Sequence, residues 1–183
     1  MVLLESEKVN IGTPAHDFLL SGTDEKEYGL RDFAGAKALV IIFMCNHCPY
    51  VQAQWGRLVD LQEKYLNQGA RFVGINSNFN PDYPEDSFEK MKEYVAEYNM
   101  NFPYLQDPSQ EVAKKFGAVC TPDIFVYDGE QRLFYHGRLD DNWKDASLAE
   151  RHDLDEALSA LISGQAFSEK QIPSMGCSIK WRK

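Results

Sequence analysis

Residues 38–55 read ALVIIFMCNHCPYVQAQW, an apolar, β-branched run that stops at two cysteines separated by two residues. The unbroken apolar stretch up to Phe43 predicts a strand buried on both faces, since a half-exposed strand would alternate. Beyond the cysteines, Val51, Trp55, Leu58, Leu61 and Tyr65 recur at steps of three and four, so a helix follows, ended by Asn67-Gln68-Gly69. Cys45 and Cys48 therefore lie on the turn from a buried strand into a helix. A pair so placed can be half of a zinc site, a structural disulfide or a redox centre.

Structural zinc needs two further ligands at suitable spacing, and Cys120, Cys177, His16, His136 and His152 form no second close pair. A structural disulfide across so small a loop constrains the unfolded chain little. Redox chemistry uses the same placement directly. Orphan amides and the positive end of the helix dipole favour a thiolate at Cys45, which would attack, while Cys48, one turn into the helix, would resolve. His47, between the two, is a candidate to stabilise the Cys45 thiolate and make the disulfide form more oxidising.

Bulk properties narrow the partners. At 183 residues, 44% hydrophobic and 26% charged, the chain is expected to form a single domain over 1–183 with a substantial core. A net charge of -9 argues against nucleic acid and anionic membrane surfaces. The start, MVLLESEKVN, carries acids where a secretory signal needs bases, and no apolar stretch is long enough to span a bilayer. A reducing cytoplasm is the expected setting, and there a close cysteine pair is catalytic or metal-binding more often than structural.

Elsewhere DFLLSGTDEKEYGL reads as a hairpin, RFVGINS as a strand, and PEDSFEKMKEYVAEYN as a helix opened by Pro84 and acids that suit its dipole. SQEVAKKFG is a short helix, DIFVYDGEQRLFYHG a second hairpin turning at Asp128-Gly129, and SLAERHDLDEALSALISG a last helix. Alternating strands and helices predict an α/β fold with a central sheet covered by helices. GAVCTPDIFVYD sets Thr121-Pro122 immediately before a strand, where a cis peptide bond can sit.

Taken together, DFLL, LRDFAGAKALVIIFMCNHCPYV, VGINSN, YPEDSFEKM, FGAVCTPDIFVYD and GCSIKW resemble the redoxin branch of the thioredoxin superfamily, often labelled alkyl hydroperoxide reductase/thiol-specific antioxidant. The resemblance implies a thioredoxin-like fold: a central mixed sheet flanked by helices, an N-terminal hairpin and an extra strand–helix insert within residues 71–100. It makes Pro122 the cis-proline and Thr121-Pro122 the loop that holds a substrate backbone beside Cys45. It also implies a thiol–disulfide oxidoreductase that acts on a protein or small-molecule disulfide, is recycled by an external thiol, and needs no organic cofactor or metal.

The chain departs from its relatives at informative places. Leu39 replaces the buried Asp of thioredoxins, Val51 the Glu of some relatives, and Met44 the Trp before the first cysteine. A peroxiredoxin site needs Pro and Thr/Ser at fixed steps before its cysteine. Counting from Cys48 finds Ile41 and Cys45, and counting from Cys45 finds Ala38 and Ile42. The alternatives are a thiol peroxidase, in which one cysteine forms a sulfenic acid and its neighbour condenses with it, and a non-catalytic peptide-binding module.

Cys120, next to Thr121, is a candidate additional redox thiol, against the plainer reading of a small buried hydrophobe. The tail, residues 165–183, is expected to dock on the body, with Ile172 and Trp181 as apolar anchors and Cys177 within it. Asn76 and Asn78 are expected to line the cleft at a strand end. Trp55 reads as core, Asp140-Asp141 as an acidic loop, and Arg132 and Arg138 as solvated. His16, His136 and His152 show no sequence partner and receive no role.

Overall fold

In a computed structural model that describes residues 2–78 and 82–182, the chain forms two sheets. In chain order the elements begin with β1 (Leu3–Glu5), β2 (Leu19–Gly22), β3 (Glu27–Gly29) and β4 (Ala38–Phe43). Next come α1 (Pro49–Gln52), α2 (Trp55–Leu66), β5 (Ala70–Asn76), α3 (Phe88–Glu97) and β6 (Tyr104–Gln106). They end with α4 (Glu111–Phe116), β7 (Cys120–Thr121), β8 (Asp123–Asp128), β9 (Leu133–Gly137), α5 (Asp153–Ile162) and β10 (Met175–Ser178). The larger sheet runs β3-β2-β6-β5-β4-β8-β9, and the smaller runs β1-β10-β7.

β4 is buried along its whole length, between parallel β5 and antiparallel β8. Alternation on the strand explains its unbroken apolar sequence. Val40 and Ile42 face a core with Trp55, Leu58 and Tyr65 of α2, Met91 of α3 and Leu154 of α5. Leu39, Ile41 and Phe43 face the other core, with Phe18 and Leu20 of the hairpin and Val112 and Phe116 of α4. Trp55 is fully buried, stacked 5.0 Å from Tyr98 and edge-on to Tyr104.

Both hairpins form, with Leu20 opposite Tyr28 in the first and Phe125 opposite His136 in the second. The insert expected within 71–100 is a parallel crossover from β5 through α3 to β6, so it extends beyond residue 100; residues 79–81 lie outside the described set. Pro84 opens a short 3-10 turn, Pro84–Asp86, and the helix proper starts at Phe88. The last helix starts only at Asp153.

The tail seats differently from the expectation. Ile172 is only half-buried and Trp181 is 37% exposed, whereas Cys177 and Ile179 are buried. Polar clamps hold it: Lys180 N donates to Asn78 Oδ1 (2.8 Å), Gln110 Nε2 donates to Lys180 O (2.8 Å), and Arg182 N donates to Gln110 Oε1 (2.8 Å). Gln110 takes a left-handed backbone (φ 64°) in doing so.

Arg138, expected to be solvated, Asp140, expected in an acidic loop, and His136, which shows no partner in sequence, are all partnered inside. Arg138 Nε donates to Asp153 Oδ2 (2.7 Å). Asp140 is buried and paired with Arg57 of α2. His136 is buried against Asp123 Oδ1 (2.8 Å) and stacks on Phe125 at 4.0 Å. No helix among the described residues is long and apolar enough to cross a membrane.

Candidate redox site

The redox turn leaves the C-terminal end of β4, where Met44 N still donates to Ile75 O (2.9 Å). Cys48 is the N-cap of α1 and Pro49 its first residue, a position where proline's missing N–H costs nothing. Opposite lies the Thr121-Pro122 peptide, which is cis. Cys45 Sγ is 3.2 Å from Thr121 Oγ1, and Cys48 Sγ is 3.1 Å from the Thr121 carbonyl. The two sulfurs also share a hydrogen bond. All four cysteines are reduced and buried.

Asp86 fixes the turn from the far side of the insert. Its Oδ1 accepts from the backbone amides of Asn46 (2.7 Å) and His47 (3.1 Å), and its Oδ2 meets His47 Nδ1 and accepts from Asn78 Nδ2 (2.9 Å). Asn76 Nδ2 donates to the Asp86 carbonyl (3.3 Å). Asn46 is held in turn, donating to Glu85 O (2.7 Å) and accepting from the Tyr104 hydroxyl (2.9 Å). Asn76 and Asn78 thus form the buried floor behind Asp86 instead of lining an open cleft.

In the sequence Asp86 is only one of the acids that open a helix and suit its dipole. It is 3% exposed and its partners come from other elements. Helix-start position was the one signal present, and it says nothing of partners on other elements.

This carboxylate also changes the reading of His47. The imidazole nitrogen nearest Cys45 Sγ (3.8 Å) is Nδ1, the same atom that Asp86 engages, and Tyr83 stacks on the ring at 4.5 Å. His47 is a pinned side chain whose first partner is Asp86. Cys45 Sγ, His47 Nδ1 and an Asp86 oxygen lie within 4.8 Å of one another, so a three-ligand group for a metal ion exists that spacing in sequence could not reveal.

Protonation runs opposite to the sequence expectation. Burial, reinforced by hydrogen bonding to Cys48 and by the Asp86 charge, pushes Cys45 well above the ordinary thiol value. Hydrogen bonds from Cys177 and then Cys45 hold Cys48 well below it, outweighing its burial. The reduced pair therefore carries its thiolate on Cys48, with smaller support from the backbone amides of Cys177 and Val51. The Thr121 carbonyl accepts from Cys48 when that sulfur takes up a proton.

The third sulfur in contact is not Cys120. Cys120 lies 3.8 Å from both Ser6 Oγ and Pro122 O, and burial, then the nearby Asp123, drives its pKa upward. Cys177 of β10 instead places its Sγ 2.9 Å from Cys48 Sγ. Beside Pro122 opens a cavity of about 230 Å³ lined by Gln54, Leu139, Trp143, Ile172 and Met175 among others. Arg57 shapes its wall, donating to the carbonyls of Asn142 (3.0 Å) and Trp143 (2.6 Å) while Trp143 packs 4.1 Å from Tyr50.

Comparison with known proteins bears on this arrangement. The model of the AhpC/TSA family matches residues 11–136. The chain belongs to that family. It is 23% identical over 129 residues, 70% of each chain, to the thiol-disulfide oxidoreductase ResA of Bacillus thuringiensis subsp. konkukian. It is also 28% identical over 129 residues to the putative peroxiredoxin bcp of Haemophilus influenzae, covering 69% of this chain and 78% of that one.

A solved structure of an uncharacterized conserved protein from Geobacillus kaustophilus superposes with a TM-score of 0.94 at 42% identity, over 100% of this chain and 97% of that one. The thioredoxin domain of a thiol-disulfide oxidoreductase from Bacteroides vulgatus superposes with a TM-score of 0.61 at 16% identity, over 70% and 89%. The fold is thioredoxin-like, and the family is one of redox enzymes.

Proposed function

We propose that this AhpC/TSA member is a thiol–disulfide oxidoreductase working through Cys45 and Cys48, with a protein or small-molecule disulfide as substrate and an external thiol as reductant. One observation carries the reading: the Cys45 and Cys48 sulfurs both face the Thr121-Pro122 loop, 3.2 Å from Thr121 Oγ1 and 3.1 Å from the Thr121 carbonyl.

The steps follow from that geometry. Cys45 passes its proton to the Cys48 thiolate along the hydrogen bond they share and attacks a substrate sulfur, while Thr121 Oγ1 donates to the growing charge on Cys45. A Cys45–substrate disulfide forms, and the first leaving thiolate takes the proton from Cys48. Cys48, a thiolate again, attacks Cys45 Sγ. The Cys45–Cys48 bond forms, the Cys45–substrate bond breaks, and the second substrate thiolate takes a proton from solvent. Two protein thiols are oxidised and one substrate disulfide is reduced. An external dithiol reverses the last bond.

Asp86 and His47 act as positioning residues that keep the turn rigid. The test is turnover of a cystine-containing peptide. Cys45→Ser abolishes it and Cys48→Ser traps the mixed disulfide. Full activity in Cys45→Ser overturns the reading.

A thiol peroxidase is the second reading. It is favoured by the likeness to a putative peroxiredoxin and by the Thr121 hydroxyl beside Cys45. Against it stand the missing Pro and Thr positions ahead of either cysteine.

A further inference from the structure

The C-terminal strand occupies the edge on which a substrate backbone is expected. β10 runs antiparallel to β7, with Cys177 opposite Thr121 and Ser178 opposite Cys120, so it pairs with the two residues just before Pro122. An incoming peptide that added a strand to this edge would take the same place. Gly176 permits the approach: a Cβ there would lie 2.0 Å from the Thr121 carbonyl oxygen and 3.2 Å from Pro122 Cδ. β1 covers the other edge of β10, with Leu3 opposite Cys177.

This seating delivers a third sulfur. Cys177 Sγ is 2.9 Å from Cys48 Sγ and the residue is 1% exposed. Cys48 therefore touches Cys45 on one side and Cys177 on the other. A buried cysteine acting only as a small hydrophobe does not need its sulfur set against a redox sulfur.

We propose that Cys177 is a second resolving cysteine and that β10 is a tethered thiol substrate of the Cys45–Cys48 pair. The proposal rests on the reading of that pair as redox-active. Once Cys45–Cys48 is oxidised, Cys177 loses its proton and attacks Cys48 Sγ. The Cys48–Cys177 bond forms, the Cys45–Cys48 bond breaks, its electron pair leaves on Cys45, and Cys45 takes the proton that Cys177 gave up. The number of disulfides is unchanged and no outside oxidant is used. The oxidising equivalent moves to a buried bond that ties positions 129 residues apart, and Cys45 is a thiol again. An external dithiol that reduces Cys48–Cys177 resets all three sulfurs.

The experiment uses the fully reduced chain with one equivalent of oxidised glutathione. Samples are quenched in acid with a maleimide at intervals, digested, and their linked peptides identified by mass spectrometry. The expected result is early Cys45–Cys48 followed by its loss and a matching gain of Cys48–Cys177. Cys45–Cys48 persisting as the sole link overturns the relay and leaves the oxidoreductase reading standing. No link at Cys45 or Cys48 overturns that reading itself. Cys177→Ser gives an independent check. Its Cys45–Cys48 link is expected to persist at times when the wild type has lost it, and loss at the wild-type rate overturns the relay.

Discussion

Asp86 reaches from the 3-10 turn ahead of α3 to the His47 imidazole, 2.5 Å from Nδ1, and the same carboxylate accepts from the amide of His47. This contact, between groups almost entirely out of solvent, is the bolt that holds the Cys45–Cys48 turn against the insert.

Removing it is expected to be costly. Asp86→Ala leaves two amides and a buried imidazole without their acceptor, so stability should fall by about 3 kcal/mol. Urea unfolding at neutral pH measures the loss. Asp86→Asn keeps the shape and one acceptor oxygen, and should cost less. Equal stability of wild type and Asp86→Ala would show that the turn holds itself.

The shifted thiols give a pH dependence with a definite sign. Cys48 sits below the ordinary thiol value of 9.0 when folded, so its contribution to stability is full above pH 9 and fades as pH falls toward its folded value. Cys45 sits above 9.0, so its contribution is full below pH 9 and fades as pH rises beyond it. Stability of the reduced protein from these two groups should peak near pH 9. Thiolate absorbance at neutral pH should correspond to one sulfur, and Cys48→Ser should remove it. Loss of that signal in Cys45→Ser alone would place the charge on the wrong cysteine.

Thr121 Oγ1 favours the charged form of Cys45, opposing the burial that disfavours it. Thr121→Val preserves shape while deleting that hydrogen bond, worth about 1 kcal/mol, so the rate of attack on a peptide disulfide should drop by about fivefold. Stopped-flow tryptophan fluorescence with the reduced protein reads this rate. An unchanged rate would remove Thr121 from the attacking step.

What could be read from residues alone was what depends on neighbours in the chain. β4 was legible because burial on both faces leaves an unbroken apolar run, and the two hairpins because turn residues punctuate alternating strands. The cysteine turn and Thr121-Pro122 were visible for the same reason. β1, β7 and β10 span three, two and four residues, too short for any period to show. Arg138 was misjudged, and Asp86 and His136 were left without partners, because Asp153, His47 and Asp123 are supplied by the fold. Cys177 looked like part of a docking tail, and only strand pairing brings it to Cys48.

Gly176 shows how tightly that pairing is drawn. Gly176→Ala would drive a methyl against the Thr121 carbonyl, so β10 must shift, at a cost of about 1–3 kcal/mol. Thermal unfolding should register the loss, and Cys177 should alkylate faster in the variant than in the wild type. Unchanged melting and unchanged alkylation would mean the strand accommodates a side chain there.

The most direct test of the central claim is a rate comparison on the fully reduced protein. It is mixed with either a model disulfide or hydrogen peroxide, quenched in acid, and scored by mass spectrometry for oxidation of Cys45 and Cys48. Fast oxidation by the disulfide with slow reaction toward peroxide is the predicted result. Fast oxidation by peroxide with slow disulfide exchange would contradict the account and make this site a peroxidase built around the Thr121 hydroxyl.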